Sequence, residues 1–129
     1  SLSVSSNVPA LLTVQSCSPT WPMTRLLNVL QRPVWYSPNT YNGAMYLVAG
    51  QKRLVGYANI LIELAEENDD VYLGDFKSFD YLKANYKKYY FAENGNAGVF
   101  YLHPNVDGAK KLAKRWAQAI TRAVKASKK

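Results

Sequence analysis

Hydrophobic spacing along this chain changes character several times, and each change marks an element. Val8–Gln15 is a short, apolar, β-branched run closed by Ser16, Ser18 and Pro19, which reads as a buried strand. From about Gln51 to Asn68, Leu54, Tyr57, Ala58, Leu61, Leu64 and Ala65 recur at helical spacing, with Glu63, Glu66 and Glu67 on the other face. Val71-Tyr72-Leu73 then reads as a short strand with Gly74-Asp75 at its carboxyl end. Phe79–Tyr90, rich in Tyr and Lys, predicts another helix, and Glu93-Asn94-Gly95-Asn96-Ala97-Gly98 a flexible loop. The last helix is expected from Val106 to Ala126. Its apolar stripe is Ala109, Leu112, Ala113, Trp116, Ile120, Ala123 and Val124, with Asn105 as N-cap and Asp107 in the first turn.

Residues 16–50 carry little periodicity. Pro19, Pro22, Pro33 and Pro38 interrupt them, and Asn42-Gly43 signals a turn. Met23–Leu30 is expected as a short helix and Val34–Tyr36 as a short extended piece. The resulting order of strand, loop region, helix, strand, helix, loop and helix predicts an α/β layered fold with a parallel sheet. Two strands are few for such a sheet, whose faces and neighbours both need covering. The 129 residues are therefore expected to be a single domain or the C-terminal part of one.

Composition narrows the classes. Hydrophobic residues make up 48% of the chain, with ten Tyr, three Trp and four Phe, which excludes a disordered segment. The apolar runs are too short to span a bilayer, so no transmembrane segment is expected. Ser1–Asn7 has neither the basic nor the apolar region of a signal peptide. Cys17 is the lone cysteine and His103 the lone histidine, so an internal disulfide and a Cys/His metal cluster are both excluded by count. No metal or cofactor is expected.

The net charge of +7 is concentrated at one end. Residues 1–105 carry eight basic and eight acidic side chains, whereas residues 106–129 carry eight basic ones against Asp107 alone. Such a helix either binds a polyanion or presents a solvated face with cations suited to its C-terminal dipole. Without a base-reading motif, nucleic acid is not the expected partner. The Tyr/Lys alternation over residues 81–91 either stacks on bases or sugars or packs inward. Trp21, Trp35, Tyr36, Tyr41 and Tyr46 either make contacts from the loop region or form its own small core.

The candidate chemistry lies in Tyr101-Leu102-His103-Pro104-Asn105-Val106-Asp107-Gly108. Imidazole titrates nearest physiological pH and is the usual proton shuttle. Here it precedes a helix N-terminus, where α/β folds often place chemistry. A nucleophilic Cys17 paired with His103 has no sequence context, and a small buried hydrophobe is the simpler reading of that cysteine.

The His103-Pro104-Asn105-Val106-Asp107-Gly108 block and the helix after it resemble the C-terminal half of the SGNH (GDSL-type) hydrolase family. Tyr57–Ala65 and Val71-Tyr72-Leu73-Gly74-Asp75 are similar to the family's preceding helix and strand. The resemblance covers roughly residues 8–126 in element order. It implies a flavodoxin-like three-layer α/β/α sandwich and hydrolysis of esters, often acetyl groups on carbohydrates, by a serine nucleophile. His103 is then the general base. Phe100 stands where the family places an aspartate that orients the imidazole. No Gly-Asp-Ser block follows a first strand, and Ser16 and Ser18 lie too close to His103 to serve. Asn39 and Asn42 are the nearest stand-ins for the family's oxyanion asparagine. The resemblance thus implies the C-terminal portion of an SGNH domain, with the serine supplied by an upstream half or another chain. The alternative is an inactive SGNH-derived module that binds glycan or protein. The setting this favours is extracellular or virion-associated.

Overall fold

A computed structural model of the chain describes residues 11–17, 24–39 and 47–129. The described elements are β1 (Leu11–Cys17), β2 (Thr24–Leu30), α1 (Leu47–Glu67), β3 (Val71–Leu73), α2 (Ser78–Ala84), α3 (Tyr86–Tyr89), β4 (Glu93–Gly95), β5 (Gly98–Phe100) and α4 (Val106–Ser127). The architecture is mixed α/β.

The main sheet has the order β1-β2-β3. β1 runs antiparallel to β2, from Leu11 opposite Leu30 to Cys17 opposite Thr24. β2 runs parallel to β3, pairing Asn28 with Val71 and Leu30 with Leu73. The sheet is therefore mixed, where a parallel one was expected. The parallel pair is bridged by α1, the crossover such a pair requires.

Where a helix was expected over Met23–Leu30, Met23 lies outside the described residues and Thr24–Leu30 is instead the central strand. Its leucines are compatible with either state, and the neighbours decide. Leu27 and Val29, two residues apart and essentially fully buried, face α4 with Ala123. Leu30 faces the other way, against Leu61 and Val71. This period of two buries both faces of β2, and ladders to β1 and β3 satisfy its backbone on both sides.

Two helices cover those faces. α1 lays Ala58 and Leu61 on one side, with Leu64 and Ala65 packed around them. α4 covers the opposite side through Ala123, Ile120 and Val124. Each fully buried leucine contributes roughly 2 kcal/mol of transfer free energy. The buried line of α4 runs through Gly108, Ala119, Ala123 and Ser127. Ala109 and Ala113, expected in that stripe, are exposed. The reason is that the N-terminal half of α4 leans on α3, which rotates the contact line toward Gly108 and Leu112.

The predicted helix over Phe79–Tyr90 breaks in two at Asn85, whose backbone leaves helical geometry (φ −123°, ψ 25°). A second core forms beneath these short helices from Trp35, Phe79, Leu82, Tyr89 and Tyr90. Trp35 meets Tyr90 edge-on at 5.9 Å and Tyr86 at 5.4 Å. Trp35 and Tyr36 are thus buried core residues rather than surface decorations. Trp21, Tyr41, Asn42 and Tyr46 lie outside the described residues, as does the expected start of the first strand at Val8.

The expected flexible loop at 93–98 is a hairpin. Glu93 pairs with Phe100, Asn94 with Val99 and Gly95 with Gly98. Asn96-Ala97 form its two-residue turn, and Gly98 adopts φ +93°, a conformation that L side chains rarely take. No described helix is long and apolar enough to cross a membrane.

Candidate functional site

His103 sits where three local structures meet. Its carbonyl accepts from the Phe91 N–H at 3.0 Å, and Pro104 bridges antiparallel to Tyr90. Asn105 then donates its own N–H to the Tyr89 carbonyl at 2.9 Å. The segment entering α4 is therefore zipped against the exit of α3.

Asn105 caps the helix as its sequence position predicts. Its Oδ1 accepts from the Gly108 N–H at 2.9 Å, and its amide donates to the Lys88 carbonyl at 2.8 Å. Such a cap contributes about 1 kcal/mol. Gly108 is required by proximity. A β-carbon there would stand 2.2 Å from the Tyr89 carbonyl oxygen and 3.1 Å from the Pro104 Cβ. Pro104, Asn105 and Gly108 are thus explained by packing α4 onto α3. The imidazole of His103, like the exposed side chains of Val106 and Asp107, takes no part in that packing.

That imidazole is oriented by Glu93. Nδ1 lies 2.9 Å and 3.0 Å from the two carboxylate oxygens, and the His103 N–H adds a bond to Oε2 at 3.3 Å. An ionised carboxylate can only accept, so Nδ1 carries the hydrogen. In the neutral ring the lone pair then lies on Nε2. The His103 side chain is 65% exposed, which leaves Nε2 accessible, while Glu93 is more enclosed at 28%. Burial alone raises the Glu93 carboxyl. The hydrogen bonds from the His103 ring and backbone outweigh it, and the carboxyl ends below its ordinary value.

The sequence reading identified His103 and missed Glu93. The signal was present in the turn chemistry. Asn96-Ala97 read as the two-residue turn of a hairpin, closed by Gly95 and Gly98, would have set Glu93 across from Phe100. The register does this: the carboxylate reaches the imidazole from the strand opposite Phe100.

Other sequence candidates go elsewhere. The Asn39 amide is spent on the Val99 carbonyl at 2.5 Å. Ser37 is buried and accepts from the Tyr101 N–H at 2.8 Å, and Ser78 bonds the Asp75 carboxylate. Among the described residues no serine hydroxyl bonds His103. Ser16 and Cys17 belong to β1, and Ser18 lies outside the described residues. Among the described residues no group of three His, Cys, Asp or Glu converges as a metal site would require.

The Tyr/Lys segment packs inward and outward at once. Tyr89 and Tyr90 are buried, Tyr81 and Tyr86 half-buried, and Phe91 exposed. Burial pushes the Tyr90 phenol well up, and its hydroxyl donates to the Trp35 carbonyl. Comparison with protein-family models, with curated proteins and with solved structures finds no match to this chain.

Proposed function

We propose that this chain is the C-terminal portion of an SGNH-type serine esterase, acting on acyl esters of carbohydrate. The observation that carries the reading is the Glu93–His103 pair: an exposed imidazole with Nδ1 held by a carboxylate and Nε2 open. This is the arrangement a general base requires. Glu93, reaching across from β4, takes the role the family gives to the aspartate at the Phe100 position. The mixed α/β architecture supports a flavodoxin-like sandwich, because α1 and α4 cover opposite faces of the sheet around a parallel β2–α1–β3 unit.

In this reading the nucleophilic serine comes from outside the chain, on an upstream half or a partner polypeptide. Its hydroxyl oxygen adds to the ester carbonyl while His103 Nε2 takes the proton. The imidazolium, steadied by Glu93, returns that proton to the departing alcohol. Water then repeats the cycle, adding to the acyl-serine and releasing the carboxylic acid.

A second reading is an SGNH-derived binding scaffold without turnover. It is favoured by one observation, that Pro104, Asn105 and Gly108 are fully occupied in packing. The test is p-nitrophenyl acetate hydrolysis by this chain, alone and co-expressed with the polypeptide encoded immediately upstream. The esterase reading expects turnover only in the combined sample, abolished by His103→Ala. A serine-directed phosphonate should label a serine outside residues 1–129. Labelling of a serine within the chain would overturn the placement of the nucleophile. A well-folded, inactive combined sample would leave the scaffold.

A further inference from the structure

Two features that looked separate in sequence, the Tyr/Lys segment and the basic last helix, form one surface. α3 and α4 enclose a concavity of about 400 Å³ lined by Lys88, Tyr89, Asp107, Lys110, Lys111 and Lys114. Lys114 is shared with a second concavity on the same helix that extends to Arg122. Arg122 and Arg115 continue into a third, which ends at Lys77 beyond β3. From Asp107 to Arg122 this track follows α4 for about 22 Å.

The cations on it are not spent on protein carboxylates. Among the described residues none of Lys88, Lys110, Lys111, Lys114, Arg115 and Arg122 forms an ion pair. Asp75, at the far end, has both oxygens engaged by the Ser78 hydroxyl and by the backbone of Lys77 and Ser78. Asp107 is the one other carboxylate lining the track.

Hydroxyls accompany the charge. Tyr81 and Tyr89 share a hydrogen bond at 3.2 Å on the wall of α2 and α3. Arg115 lies 4.2 Å from the centre of the Tyr81 ring and Lys111 5.6 Å from it. The bond from Tyr89 and the charges of Lys111, Arg115 and Lys88 hold the Tyr81 phenol below its ordinary value, against the opposing effect of burial. With Lys88, Lys110, Lys111, Lys114, Arg115 and Arg122 along it against Asp107 and the internally bonded Asp75, the track is net positive.

We infer that the α3–α4 track binds a linear anionic polysaccharide, a chain of carboxylate-bearing sugars, and delivers it to His103. Charge selects the carboxylates, and the phenols and Gln118 offer hydrogen bonds to sugar hydroxyls. Nucleic acid fits less well. Tyr89 is buried and Arg115 stands over Tyr81, so the track offers little free aromatic face on which a base would stack. The track begins at Lys88 and Asp107, and Asp107 lies four residues past His103 in the chain, where the Asn105 amide ties the entry of α4 to the Lys88 carbonyl. Binding stands on the surface alone, whereas delivery of this polymer as substrate rests on the esterase reading.

The experiment measures binding of the intact chain to fluorescent oligogalacturonate, neutral dextran and single-stranded DNA of similar length, at low and physiological salt. Oligogalacturonate is expected to bind with strong salt dependence, and dextran not at all. Combined Lys88→Gln, Lys110→Gln and Lys114→Gln should weaken binding by about tenfold or more. An equal charge removal off the track, Lys125→Gln, Lys128→Gln and Lys129→Gln, should weaken it by less than about threefold. Equal losses in the two triple variants would mean net charge alone and would overturn the proposal. So would tighter binding of DNA, or no binding of oligogalacturonate. His103→Ala should bind as the parent does. Binding with no turnover in the combined sample would sink the esterase reading and keep the surface. Turnover without binding would do the reverse.

Discussion

Replacing Gly108 by alanine tests why the block after His103 has its form. Taken as helix propensity, the change should help: alanine exceeds glycine by about 1 kcal/mol in a helix interior. The geometry at this site demands the opposite sign. The new methyl would stand 2.2 Å from the Tyr89 carbonyl oxygen, a backbone atom that no rotamer change can move. Ordinary non-bonded separations are near 3.5 Å, so the first turn of α4 must retreat from α3 by about 1 Å. That retreat stretches the Asn105 N–H bond to Tyr89 and the Asn105 amide bond to Lys88, at 2.9 Å and 2.8 Å. Overpacking typically costs about 1–3 kcal/mol and loss of a cap about 1 kcal/mol, so the net destabilisation after the propensity gain is about 1–3 kcal/mol. In a domain of this size that lowers Tm by roughly 4–12 °C. The assay is urea and thermal unfolding followed by circular dichroism. Ala109→Gly serves as reference, one residue along and exposed, where the loss should be propensity alone. A Gly108→Ala variant as stable as the parent, or more stable, would refute the close approach of α3 and α4.

Four further outcomes are expected. Glu93→Gln should release the imidazole from its single tautomer, seen as a change in the ring ¹⁵N shifts of His103, while costing less than about 1 kcal/mol because the pair is solvent-facing. Because the Glu93 carboxyl sits below its ordinary value near 4.5, its contribution is fully present above that pH and is lost as pH falls through the lowered value. The protection factors of the β4–β5 hairpin amides, corrected for intrinsic exchange at each pH, should therefore fall on acidification below about pH 4.5 in the parent, and lose that dependence in Glu93→Gln. Tyr90→Phe should cost about 1–2 kcal/mol in urea unfolding, since the buried Trp35 carbonyl loses its partner. The raised Tyr90 phenol adds an alkaline counterpart: stability is lost as pH rises beyond the ordinary value of 10.0.

Local pattern determined much of this protein. The spacing of Leu54, Ala58, Leu61 and Ala65 suffices for α1, because one face of a helix is set by residues three and four apart. Val71–Leu73 and the capped start of α4 at Asn105 were legible for the same reason: each depends on side chains within a few residues. The singular histidine also marked the candidate site. Tertiary structure decided what depends on distant partners. Thr24–Leu30 is a strand because β1 and β3 flank it and both its faces are buried, and nothing local in Leu26-Leu27-Asn28-Val29-Leu30 separates that from a helix. Glu93 meets His103 only because a hairpin folds ten residues back on themselves, which fixes the register that spacing alone left open. The joining of the Tyr/Lys segment to the basic helix follows from Gly108, which lets two backbones approach more closely than any side chain would allow.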